Sequence, residues 1–151
     1  MKNFAMIKAH LSSNVPFANH TGVTLLDVND GRAVAALEQS HETSNHIGTQ
    51  HAGALFTLAE AASGAAMAGA FADRLLSIRP VAAAAQIRYL RIANGRVTAH
   101  ARIDGDPEAL RAALDATRRV QFPVHVSLRD DADKEVADMT VEWNVRVSRA
   151  V

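Results

Sequence analysis

The sequence predicts an α+β domain in which an antiparallel sheet wraps a long central helix. Three observations carry this prediction. Residues 51–71 form an alanine- and glycine-rich apolar stretch, too long for a strand and interrupted by a single acid, Glu60. Two short apolar runs flank Asn29-Asp30-Gly31, the pattern of a tight β-hairpin. Beyond residue 80 most apolar residues alternate with polar ones at period two. A helix and a sheet that each carry one apolar face bury both by packing together.

The elements follow in order. Residues 4–11 form a short amphipathic helix that stops before Pro16. Strands at 23–28 and 32–37 make the hairpin, and residues 41–50 are a polar loop. The long helix covers 51–71. A strand over 81–90 follows Pro80, which is tolerated at a strand start because its missing N–H is not needed there. The turn signal Ala93-Asn94-Gly95-Arg96 leads to a strand at 97–103, where Val97, Ala99, Ala101 and Ile103 share one face. Asp106-Pro107-Glu108 starts a helix, with an N-cap acid, proline at the first position and an acid in the first turn. That helix ends near Arg118-Arg119, and strands at 120–128 and 139–147 flank a charged turn at 130–135. Strands joined by tight turns imply an antiparallel sheet.

A chain of 151 residues fits a single domain over 1–151 with its own core. Lys plus Arg and Asp plus Glu balance at 16 each, which argues against nucleic acid or an anionic membrane as partner. With no cysteine, disulfides, thiolate metal sites and a cysteine nucleophile are excluded. The first ten residues are interrupted by charge and lack a leader's apolar run, so a cytoplasmic protein is expected. Residues 52–71 are long enough to span a bilayer, but an acid at mid-span costs about 2.5–3.5 kcal/mol, so a helix buried in protein is expected.

Chemistry concentrates where the polar loop Asn45-His46-Ile47-Gly48-Thr49-Gln50 runs into His51-Ala52-Gly53 and the long helix. The free N–H groups of a helix start stabilise developing negative charge. A lone acid in an apolar helix is costly unless it is partnered or functional. His41, His46 and His51 are spaced five apart, which does not align them on a helix face, and no metal is expected. Ser63 lacks the Gly-x-Ser-x-Gly setting of a hydrolase elbow.

The stretch His51-Ala52-Gly53-Ala54, with Glu60 nine positions after the histidine and Asn45 six before it, resembles the hotdog-fold acyl-CoA thioesterases. The phenylacetate-pathway branch is the most similar, with its His-Gly-Gly-Ala motif opening the central helix. Gln86-Ile87-Arg88-Tyr89-Leu90-Arg91 resembles that family's third strand, and the order of elements fits over residues 15–148. The sequence departs in having Ala52 for the first glycine, Glu60 where Asp is commoner, and no hydroxyl in residues 81–85. The resemblance implies hydrolysis of an acyl-CoA, with coenzyme A as part of the substrate and no other cofactor. It assigns the catalytic site to Glu60, Asn45, Ala52, His51 and Gly53. Arg88, Tyr89 and Arg91 become candidates for holding the substrate, with Arg96, Arg118 and Arg119 as further cations.

In that chemistry the Ala52 N–H polarises the thioester carbonyl and Glu60 activates water or attacks directly. The Asn45 amide orients the substrate or the water, and His51 braces the loop. Ala52 and Glu60 lie eight residues apart, about 12 Å along one helix, too far to touch a single carbonyl. Their joint use therefore requires two subunits, and a homodimer with composite sites is expected, in the family assembled further as a dimer of dimers. The alternatives on the same fold are a non-catalytic acyl-CoA-binding protein, a hydratase, and a purely structural dimer module.

Overall fold

The computed structural model describes residues 2–149. In chain order these form α1 (Phe4–Asn14), α2 (Pro16–Thr21), β1 (Thr24–Asn29), β2 (Arg32–Leu37), α3 (Ala52–Ala70), β3 (Ile78–Tyr89), β4 (Val97–Ile103), α4 (Pro107–Thr117), β5 (Arg119–Arg129) and β6 (Glu135–Val147). The strands make a six-stranded antiparallel sheet in the order β1-β2-β4-β5-β6-β3. Helix α3 lies across β1, β2, β4, β5 and β6. Its Leu58, Ala59, Ala62 and Ala66 are fully buried against the inward residues of those strands, among them Ala99, Val124 and Val141.

Small side chains on α3 let its backbone approach the sheet closely. Gly69 is the extreme case, since a Cβ there would lie 2.0 Å from the Asn29 carbonyl oxygen. The same end of α3 is tied by Arg111 of α4. Its buried guanidinium donates to the Ala70 carbonyl at 2.7 Å, to Asp30 at 2.8 Å and to Glu108 at 2.7 Å. One side chain thus joins the C-terminus of α3, the β1–β2 turn and α4.

Several boundaries differ from the sequence reading. The first helix runs on to Asn14, and a second helix follows at once, because Pro16 at its first position loses no hydrogen bond. The third strand begins at Ile78 and carries Pro80 inside it, which β3 tolerates as an edge strand. The last strand begins at Glu135, so the charged turn shortens; Asp130 Oδ1 closes it by accepting from the Ala132 and Lys134 N–H groups. The segment at 93–96 does not join neighbouring strands. It carries the chain from β3 at one edge of the sheet to β4 in its middle, and β3 pairs with β6 instead.

Candidate active site on the central helix

The start of α3 is set by its capping residue. His51 is extended, and its Nδ1 accepts from the Gly53 N–H at 2.8 Å, so its ring proton sits on Nε2. Gly53 leaves room for this cap, since a Cβ would come within 3.1 Å of that nitrogen. The His51 carbonyl accepts from the Ala54 and Leu55 N–H groups at 3.0 and 3.1 Å. The exposed Ala52 N–H is left without an acceptor among the described residues. It points its dipole outward at the positive end of a 19-residue helix.

The preceding loop is fixed by Asn45. Its Oδ1 accepts from the Ile47 and Thr49 N–H groups at 3.1 and 3.0 Å, and its Nδ2 donates to Thr49 Oγ1 at 2.7 Å. The amide is engaged in holding the loop, so it sets the position of the helix start from a distance. Gln50, which sequence reasoning did not single out, anchors the loop from below. It is buried, and its Nε2 donates to the Gly95 carbonyl at 3.1 Å while its Oε1 has no partner among the described residues. Nothing in the sequence distinguishes it from its polar neighbours.

Tyr89 and Arg91 come to the same place. The Tyr89 hydroxyl donates to the Ala52 carbonyl at 3.0 Å, and both residues line a groove of about 390 Å³ with Asn45 and Ala52. Arg91 is exposed and has no ion-pair partner among the described residues. Arg88 is not brought to this groove. Adjacent strand residues face opposite ways, and its guanidinium binds Asp138 at 3.0 and 2.5 Å on the sheet face turned away from α3. Arg96 pairs with Glu38 at 3.4 Å, and Arg118 and Arg119 join α4 to β5.

Glu60 is half-buried in mid-helix. Its carboxylate makes no hydrogen bond or ion pair with the described residues, and burial pushes its pKa above the ordinary glutamate value. It borders an apolar cavity of about 240 Å³ between α3, the two N-terminal helices and the sheet. Ser63 next to it is occupied. Its hydroxyl donates to the Glu60 carbonyl at 2.7 Å and accepts from Trp143 Nε1 at 3.0 Å, which satisfies a buried indole N–H. Within one chain the free Ala52 N–H and Glu60 remain separated by two turns of helix. Among the described residues no cluster of three His, Asp or Glu side chains forms, and no helix is long and apolar enough to cross a membrane.

Residues 4–145 match the family described as a domain of unknown function, DUF4442. This chain belongs to the DUF4442 family. Solved structures place the fold of this DUF4442 chain among the hotdog proteins. A Pseudomonas aeruginosa protein of unknown function, described as a probable thioesterase, superposes with a TM-score of 0.83 at 22% identity, over 97% of each chain. The PaaI protein of the E. coli phenylacetic acid degradation operon gives 0.71 at 22%, over 96% of this chain and 94% of that one. A thioesterase enzyme from Staphylococcus aureus gives 0.73 at 16%, over 87% and 99%. Among curated proteins, none matches the sequence.

Proposed function

We propose that this DUF4442 chain hydrolyses an acyl-CoA thioester to the free acid and coenzyme A, at a site completed by two copies of the chain. The observation that carries this reading is the pair of unsatisfied groups on α3: the free Ala52 N–H at its start and the unpartnered, half-buried Glu60 carboxylate in its middle. The Ala52 N–H of one subunit polarises the thioester carbonyl, helped by the helix dipole. Glu60 of the other subunit takes a proton from water as its oxygen attacks the carbonyl carbon. The tetrahedral adduct then collapses, the C–S bond breaks, and the sulfur leaves as the thiol with the proton returned by Glu60.

The remaining residues have supporting roles. His51 and Gly53 form the cap that leaves Ala52 free, and Asn45 is a positioning residue acting through the loop. Tyr89 holds the helix start through the Ala52 carbonyl, and Arg91 offers its charge to the coenzyme A phosphates. Arg88 serves the substrate less directly, because Asp138 already holds it.

The homodimer is supported by β3. Among the described residues its outer edge has no partner strand, and residues 81–86 are uncharged and exposed, Val81 at 52%. A long uncharged edge strand is a template for pairing with another chain. Exposed Ile47, Phe56, Leu90 and Ile92 gather apolar surface around the helix start. A cytoplasmic location, where acyl-CoA is met, accompanies this reading.

The test is thiol release from acetyl- to palmitoyl-CoA by wild type and Glu60→Ala. Turnover should fall at least a hundredfold in the variant, with acyl-CoA binding retained. Equal turnover in both proteins would remove Glu60 from the chemistry. Binding without turnover in the wild type would leave the acyl-CoA-binding alternative standing.

A further inference from the structure

The apolar cavity beside Glu60 has the shape and position of a tail pocket. It follows α3 from Glu60 through Ala61, Gly64 and Ala65 to Met67, about 10 Å of one helix face. The positions recur at helical spacing, and those between Glu60 and Met67 are small. Trp143 forms the facing wall and packs against Gly64, where a Cβ would meet its ring at 3.3 Å. The roof comes from Leu11 of α1 and from Val15 and Ala18 around the start of α2. Among the described residues no cation lines the cavity, and Glu60 at one end is its sole ionisable group.

Resting on the hydrolase reading above, we infer that this cavity takes the acyl tail and that the N-terminal helices limit it to medium length. The carbonyl lies at the Glu60 end and the tail runs toward Met67. A dry apolar cavity of about 150 Å³ accepts benzene, roughly 25 Å³ per carbon. At about 240 Å³ the pocket holds a tail of about eight to ten carbons. The substrate class is thus medium-chain acyl-CoA. Each methylene buried before the pocket is full raises kcat/KM about fourfold, and carbons beyond the pocket's volume gain nothing from it.

The experiment compares butyryl-, octanoyl- and palmitoyl-CoA in wild type and in two variants of opposite effect. Wild type should prefer octanoyl-CoA to both others. Ala61→Leu narrows the cavity from a half-exposed position and should cut the octanoyl-to-butyryl ratio of kcat/KM at least tenfold. Leu11→Ala opens the roof and should raise the palmitoyl-to-octanoyl ratio. Because the two variants shift chain-length ratios in opposite directions, general destabilisation does not mimic the result. If wild type turns over acyl-CoA but both ratios stay within twofold of wild type in both variants, the pocket assignment is overturned while hydrolysis stands. If no acyl-CoA is turned over, the hydrolase reading falls, and binding of 1-octanol by calorimetry decides the pocket. Octanol binding weakened by Ala61→Leu would uphold the pocket, and binding that is absent or insensitive would overturn it.

Discussion

Glu60 is the residue at which stability and activity pull apart. Its carboxylate is half-buried with no partner among the described residues, so the folded protein holds its proton more tightly than the unfolded chain does. Between the ordinary glutamate pKa and the raised folded value, the folded state binds more protons. Stability contributed by the neutral form is therefore lost as pH rises through that window. Glu60→Gln removes this loss. Its melting temperature should exceed that of wild type at pH 7, and the difference should shrink as the pH falls to about 4. Differential scanning fluorimetry across that range measures it, and a difference independent of pH would contradict the assigned environment. Ser63 marks the opposite case. It sits one turn away, and its hydrogen bonds to Trp143 and to the helix backbone give it a structural task.

At the scale of elements, α3 decides where everything else lies. Its start and its acid were visible in the sequence because a polar loop running into an apolar stretch and a lone charge within that stretch are local signals. Its depth in the sheet was not, because that depends on what approaches each small residue. Gly69 faces the backbone of the β1–β2 turn and leaves no space for a methyl group. Gly69→Ala should destabilise the fold by about 3 kcal/mol, at the upper end of overpacking costs. Urea unfolding should record this as a lowered midpoint with an unchanged slope. The hairpin β1–β2 was equally legible from Asp30-Gly31, whereas the segment at 93–96 looked like a hairpin turn and is a crossover. A turn signal specifies that the chain bends and does not specify which strand it meets next.

At the scale of the whole molecule, one sheet edge is open. Residues 81–86 of β3 are all exposed, and among the described residues no strand pairs with its outer edge. Ala84→Lys places a charge in the middle of that edge, where it opposes strand pairing. Sedimentation should report a dimer for the wild type and a shift to monomer for this variant, with thiol release lost together with the dimer. A monomeric wild type that still hydrolyses thioesters would refute the composite site. Arg111 works at the same scale from the other end of α3. It links three elements that are distant in sequence, and no local pattern around it announces that role.

By itself the sequence determined most of the element types, the antiparallel α+β class, the helix start near His51 and the solitary acid at Glu60. Each of these follows from neighbours within a few residues, through periodicity, capping or turn chemistry. It also determined that Ala52 and Glu60 cannot share a carbonyl within one chain, because helical rise is the same in every fold. The tertiary structure alone decided that β3 pairs with β6 at the sheet edge, that Arg88 faces away from Tyr89 and Arg91, and that Ser63 is occupied by Trp143. It alone placed α1 and α2 beside Glu60, where they wall one side of a cavity. Those outcomes depend on contacts between residues far apart in the chain, which composition and spacing do not record.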